Sequence, residues 1–226
     1  MPKKIVIVGA GPCGTLLAHY FLRRGDNYQV EIYERRSDPR LVSFSQSRTF
    51  PITLNQRGML ALGKIAGLEE AVKNISLLVD GTIIHQKNGK TRLMKRKQPL
   101  VTLDRTNLAI AFLEKLTQKY DDSRLKPHFD CECTLVDFAQ KQVKLQNVPT
   151  KADFTVDYDL LIGADGARSA VRESFLATEN FECQKQYIPS GYKSIFLSAG
   201  NTNSGINLQP GKIHSWRMDD TISRKI

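Results

Sequence analysis

No apolar run in the 226-residue chain approaches the roughly 18 to 20 residues needed to span a bilayer. That absence argues against a membrane partner. Internal repeats and low-complexity segments are also missing, which argues against a repeat architecture. Cysteine is sparse. Cys13, Cys131, Cys133 and Cys183 include no CxxC pair, so neither a zinc site nor a disulfide framework is expected. Reduced thiols of this kind, in a chain that enters a strand almost at once and leaves no room for a cleavable signal peptide, predict a cytoplasmic protein. The four histidines, His19, His85, His128 and His214, show no spacing that suggests a dyad or a metal ligand set, and each is read as structural.

Acidic residues are missing from one stretch in particular. Residues 87–97, KNGKTRLMKRK, carry Lys87, Lys90, Arg92, Lys95, Arg96 and Lys97 within a chain of net charge +10. Such a run can form a nucleic-acid patch. It also lacks the interleaved aromatic side chains of a single-strand platform, which favours a solvated hairpin and no nucleic-acid partner. Nothing in the pattern selects an oligomeric state.

What is present is an ordinary globular composition, 41% hydrophobic and 25% charged, with length for one large domain or two small ones. IVIV at residues 5–8 reads as a buried parallel strand. Residues 12–24 read as a helix with Leu16, Leu17, Tyr20 and Phe21 on one stripe, closed by Gly25. QVEIYE at 29–34 reads as the next strand, completing a βαβ unit. Residues 53–75 read as helical with breaks at Gly58, Gly63 and Gly67. A hairpin turning at Asn88-Gly89 follows, then a separate short strand, PLVTL. Asp104 is placed to cap a helix over 105–120, with Leu108, Phe112, Leu113 and Leu116 at helical spacing. CTLVDF, QVKLQ and FTVDY suit a small β-meander, with Cys131 and Cys133 on one strand face. Residues 159–176, DLLIGADGARSAVRESFL, again read strand, glycine turn, helix. Past Phe181 the pattern weakens.

Gly9, Gly11 and Gly14 make a GxGxxG between a strand and a helix. The first glycine permits the tight turn, the second the approach of a pyrophosphate, the third close helix–strand packing. The helix start offers free N–H groups to phosphate, and Pro12 costs little there. Glu34 lies 20 residues beyond Gly14, placed to accept from a ribose diol and to disfavour a 2′-phosphate despite Arg35 and Arg36. Cys13 is read as a small residue near the pyrophosphate. This pattern alone serves NAD as well as FAD.

GADGARSAVR at residues 163–172 resembles the Gly-Ala-Asp-Gly-x-x-Ser-x-Val-Arg motif of flavin-dependent aromatic hydroxylases. SRTFPITLNQRGMLAL, DRTNL and QKQYIPSGY resemble segments of the kynurenine 3-monooxygenase family. The resemblance implies an α/β, Rossmann-like FAD-binding fold of the aromatic hydroxylase type, with an interwoven β-sheet substrate layer and a C-terminally incomplete chain. It divides the sequence into FAD-binding βαβ and helices (1–75), substrate-layer hairpin (76–103), a return to the FAD-binding domain with meander and GADG turn (104–178), and a truncated start of the substrate sheet (179–226). It implies FAD as cofactor, NADPH as co-substrate, and hydroxylation of a small aromatic substrate. Its cofactor-binding residues would be Gly9, Gly11, Cys13, Gly14, Tyr33, Glu34, Arg35, Arg36, Thr53, Arg105, Cys133, Asp165, Gly166 and Ala170. Arg105 would be a permanently charged donor to the FAD phosphates.

Two departures accompany the likeness. The arginine and tyrosine that hold the family's amino-acid substrate correspond to Thr82 and Arg96, and a threonine cannot clamp a carboxylate bidentately. The family's later Gly-Asp motif, which holds the flavin end, has no counterpart. Gly25-Asp26 lies in the first helix–strand connection. No catalytic side chain is nominated, because the cofactor carries the chemistry. Two other readings stand beside this one: a nicotinamide-dependent reductase or other dinucleotide-binding module, and a non-enzymatic truncated remnant.

Overall fold

Ile5, Val6, Ile7 and Val8 are all buried, and their strand lies at the middle of the molecule. The computed structural model describes residues 2–43, 49–179, 181–189, 191 and 208–216. β1 (Lys3–Val8), β2 (Tyr28–Tyr33), β6 (Leu125–His128) and β10 (Leu160–Gly163) form a parallel sheet in the order β10-β1-β2-β6. Both faces of β1 are covered, which is why its sequence is continuously apolar rather than alternating. On one face Ile5, Ile7, Val30 and Ile32 meet Ala18 and Leu22 of α1 (Pro12–Leu22) and Leu116 of α4 (Arg105–Lys119). On the other, Val6, Val8 and Tyr33 meet Cys131, Cys133, Val143 and Leu145. These last four belong to a three-stranded antiparallel sheet of β7 (Cys131–Asp137), β8 (Gln142–Asn147) and β9 (Asp153–Asp157).

A third sheet has the order β11-β4-β5-β3, from Lys212–Trp216, Leu77–His85, Thr91–Asp104 and Pro51–Leu54 respectively. Leu62 of α2 (Gln56–Gly63), Leu68 and Val72 of α3 (Leu68–Asn74), and Leu108 and Phe112 of α4 pack beneath it against Val101 and Leu103. Among the described residues no helix is long and apolar enough to cross a membrane.

The βαβ start, the Asn88-Gly89 turn, the meander and the capped helix all form as the sequence predicts. Gln86 and Lys90 close the hairpin, and the Asp104 carboxylate accepts from Asn107 N–H at 2.8 Å. Four readings need correction. The buried stripe of α1 is Gly14, Thr15, Ala18, His19 and Leu22. Leu16, Leu17, Tyr20 and Phe21 are only half-buried, because the helix turns its small residues to the sheet for close approach. Thr53 and Leu54 lie in β3, and Gly58 sits inside α2 without breaking it. PLVTL is no separate strand. β5 runs through Pro99, and the pairing with β4 steps from Gly81↔Lys95 to Val79↔Leu100. Residues 96–99 therefore bulge, and a bulge tolerates proline's missing N–H.

The fourth correction concerns the histidines. β11 pairs parallel with β4, and this brings His85 Nε2 to 2.8 Å from His214 Nδ1. His214 Nε2 accepts from Gln209 N–H at 3.0 Å, so its Nδ1 carries the proton given to His85. Both rings stack against Trp216. The residues from 192 to 207 and from 217 onward, including Tyr192 of QKQYIPSGY and the terminal RMDDTISRKI, lie outside the described residues, as do Ser47, Arg48 and Ser190.

His19 joins the two helices under the sheet. Its Nε2 donates to Phe112 C=O at 3.0 Å, and its ring is 3% exposed. Burial outweighs that bond and lowers its pKa to about 4. An unfolded histidine titrates near 6.5. As pH falls through that value the unfolded chain takes up a proton that the folded chain refuses. Stability is therefore fully present above pH ~6.5 and is lost progressively toward pH ~4, by about 3 kcal/mol. Denaturant titrations of His19→Gln, whose amide can still donate to Phe112, are expected to show a flatter loss of stability between those pH values.

Candidate functional site

β1 ends between two neighbours that keep pairing beyond it. Gly9 N–H donates to Tyr33 C=O at 2.7 Å, and Ala164 N–H donates to Val8 C=O at 2.7 Å. The glycine turn after β1 and the GADG turn after β10 are thus laid backbone against backbone. Gly9 has φ +107°, and a Cβ there would stand 2.5 Å from Ala164 O and 2.9 Å from Asp165 N. Gly14 packs as tightly on the other side, its Cβ position falling against Gly9 O. Gly11 differs. It is the N-cap of α1, in extended conformation, with no side-chain cap, and nothing lies within 4 Å of its Cβ position. Uncapped N–H groups and the positive end of the helix dipole therefore face open space.

Glu34 stands at the same mouth. One carboxylate oxygen accepts from Ala10 N–H at 2.9 Å and the other from Arg36 N–H at 3.0 Å. The side chain is fixed to the loop and keeps further acceptor capacity for hydroxyls. Cys131 N–H donates to Glu34 C=O, which brings β7 to the cleft. Burial, with the charge of nearby Asp165, pushes the Cys133 thiol up to about 12. It is neutral and unreactive at pH 7. Burial and a 2.6 Å bond to Glu31 also push the Tyr33 phenol up, and its ring stacks on His128 at 4.6 Å.

Asp165 is turned into its own loop. Its carboxylate accepts from Ser169 Oγ at 2.6 Å, Ala170 N–H at 2.6 Å and Val171 N–H at 3.4 Å. Ser169 in turn caps α5 (Ala170–Leu176) through Arg172 N–H at 3.0 Å. Gly166 takes φ +82° to make the turn.

One cleft gathers Gly9, Tyr33, Glu34, Arg35, Cys133, Asp165 and Ala170. Gly11, Cys13 and Gly14 belong to the adjoining loop and helix start, Cys13 being exposed. Arg36 is exposed beside Glu34, and Gly166 lies in the GADG turn. Arg105 and Thr53 are not in the cleft lining. Arg105 opens α4, its guanidinium over the Phe50 ring at 5.3 Å and its buried Nε without a partner among the described residues. Thr53 is exposed on β3 opposite Thr102. The cleft also includes Val8, Cys131, Glu132 and Arg168, which the sequence reading did not single out. Arg168 occupies a position that the GADG motif leaves free, so the motif carries no signal for it.

An open, uncapped glycine loop and a pinned carboxylate beside it fit the adenosine-diphosphate half of FAD. Gly9, Gly11 and Gly14 with the start of α1 would face the pyrophosphate, and Glu34 the ribose.

Comparison with known proteins gives a consistent picture. A family model described as an FAD binding domain matches residues 3–211. Kynurenine 3-monooxygenase of Drosophila willistoni is 31% identical over 223 residues, 96% of this chain and 48% of that protein. The Caenorhabditis elegans protein of the same name is also 31% identical, over 96% of this chain and 49% of its own. The chain thus spans about half the length of these relatives. Among solved structures, the flavin-dependent monooxygenase PieE, in complex with FAD and substrate, gives a TM-score of 0.62 at 19% identity, over 77% of this chain and 32% of its own. Tetrameric 2-methyl-3-hydroxypyridine-5-carboxylic acid oxygenase gives 0.59 at 20%, over 77% and 42%.

Proposed function

Because the chain belongs to the FAD-binding-domain family, we propose that it is the FAD-gripping portion of an aromatic-ring monooxygenase of the kynurenine 3-monooxygenase kind, with NADPH as co-substrate. The observation that carries this reading is the meeting of two glycine turns across the end of β1, with Glu34 pinned beside them. When bound, FAD would supply the electron-transfer and oxygen chemistry. The chain's residues hold and orient it. The dipole and N–H groups of α1 offset pyrophosphate charge, Glu34 accepts from the ribose diol, and Cys133, neutral in its buried setting, lines the cleft without competing for charge.

The substrate end of the reading rests on Thr82 and Arg96. They stand on neighbouring strands of the third sheet, with Arg96 Nη2 3.5 Å from Thr82 Oγ1. The guanidinium is exposed, so it can serve as an anchor for an anionic aromatic substrate, with Thr82 supplying a single hydroxyl.

Flavin fluorescence quenching and calorimetry on the purified chain test this. FAD is expected to bind with micromolar or tighter affinity and to resist displacement by excess NADH. Tight NADH binding without FAD binding would support the reductase reading instead. A chain binding neither would be the non-enzymatic remnant.

A further inference from the structure

Arg168 is a cleft residue without a partner among the described residues. It lines the same cleft as Glu34, Glu132 and Asp165, yet its guanidinium makes no hydrogen bond or ion pair among the described residues. The turn that carries it is held firmly. Asp165 accepts from three donors across that turn, and Arg172 Nη2 donates to Ala167 C=O at 2.8 Å, one residue before Arg168. The side chain thus starts from a fixed base and has five unspent donors and a planar face.

Its position relative to β1 follows from the sheet order. β10 and β2 flank β1, so the turn after β10 and the residues after β2 rise on opposite sides of the glycine loop. Arg35 follows β2 and lines the cleft from that side, also without a partner among the described residues. Arg168 lines it from the β10 side. Between them lie the buried Tyr33, Cys131 and Cys133 and the carboxylates of Glu34, Glu132 and Asp165. A cleft with three carboxylates in its lining and a planar cation reaching it from each side of β1 repels a phosphate and better suits a flat, electron-rich heterocycle.

We propose that Arg168 grips the adenine ring of FAD from the β10 side, stacking its guanidinium plane on the purine opposite Arg35. This rests on the FAD-binding reading above. It gives the chain a means to select a dinucleotide over a mononucleotide flavin, which would leave Arg168 without a ligand.

The test compares the full chain with Arg168→Ala and Arg168→Lys, titrated with FAD, ADP and FMN. Arg168→Ala is expected to weaken FAD and ADP by about 3- to 10-fold, the range for a stacked cation, and to leave any FMN affinity unchanged. Arg168→Lys is expected to recover little, because an ammonium has no plane to stack. Thermal melts without ligand should coincide for all three chains, since Arg168 has no partner among the described residues. Unchanged FAD and ADP binding in Arg168→Ala would overturn the assignment. So would full rescue by lysine, since charge alone would then suffice. A wild-type chain that binds neither FAD nor ADP would instead overturn the FAD-binding reading itself.

Discussion

Gly14→Ala is expected to destabilise the fold strongly, whereas Gly11→Ala, three residues earlier, is expected to leave the fold intact and weaken the ligand. At Gly14 the added methyl falls against Gly9 C=O, with Ile7 Cγ2 at 3.2 Å behind it. Gly9 has little room to retreat, because the space a Cβ would take there is already filled by the backbone of Ala164 and Asp165. Backbone meets backbone here, and no side-chain rotation relieves it. The cost should exceed the usual 1 to 3 kcal/mol of core overpacking and reach about 4 kcal/mol or more. A chain of this size loses roughly 2 to 4 °C per kcal/mol, so a melting midpoint at least about 8 °C lower is expected by circular dichroism. At Gly11 the same methyl meets nothing within 4 Å, and the extended backbone suits alanine. Its melt should stay within about 1 kcal/mol of wild type, since only the N-cap preference changes. FAD affinity should fall at least 10-fold, because the methyl occupies the space where the loop would meet a pyrophosphate. If Gly14→Ala melts like wild type, the close packing of the two turns is wrong.

That contrast also marks what could be read without coordinates. The glycines, the flanking strand and helix, and Glu34 at the end of β2 are local in sequence, and their spacing alone implies a nucleotide loop. Asp104 and Asn88-Gly89 act on neighbours three or four residues away, so their cap and turn were equally legible. The phase of α1 was not. Apolar periodicity pointed to Leu16, Leu17, Tyr20 and Phe21, but the sheet selects for closeness, and Gly14, Ala18 and Leu22 face it instead. Leu16 and Tyr20 turn toward the cluster under the third sheet.

Long-range pairing explains the remaining differences. His85 and His214 are 129 residues apart and meet only because β11 joins β4 in parallel register. A strand pair of that kind has no local signature. Pro99 reads locally as a strand break. β4 nevertheless pairs with β5 on both sides of it, and the chain absorbs residues 96–99 as a bulge. Arg168 shows the limit of motif reading within the site itself. It sits in the quoted motif, but only the sheet order shows that it and Arg35 come from opposite sides of β1.

Asp165→Ala is the second substitution with a large expected effect, for a reason opposite to that of Gly14. Nothing is overfilled. Instead Ala170 N–H, Val171 N–H and Ser169 Oγ all lose the acceptor that closes the GADG turn. Hydrogen bonds to a charged group are worth about 1.5 to 3 kcal/mol each, with part returned when water reaches the freed donors. A net loss of about 3 kcal/mol follows, or roughly 6 to 12 °C in melting midpoint. Ser169→Ala provides the scale, since it removes one of those bonds and the α5 cap and should cost about 1 to 2 kcal/mol. Asp165→Asn should fall between, because one amide oxygen still accepts while the NH2 group faces donors. The ligand effect is expected to be of similar size to the stability effect. A loosened turn releases Gly9 from its backbone neighbours and moves Ala170 in the cleft wall, so FAD affinity should drop about 30- to 100-fold, consistent with 2 to 3 kcal/mol of lost preorganisation. The thiol beside it offers an independent readout. Burial is the larger cause of the raised Cys133 pKa and the Asp165 charge the second, so removing that charge should lower the value only part of the way. Alkylation of Cys133 above pH 9 should therefore quicken in Asp165→Ala and stay unchanged in Ser169→Ala. Unaltered FAD affinity in Asp165→Ala would mean that the GADG turn shapes the protein without shaping its cofactor site.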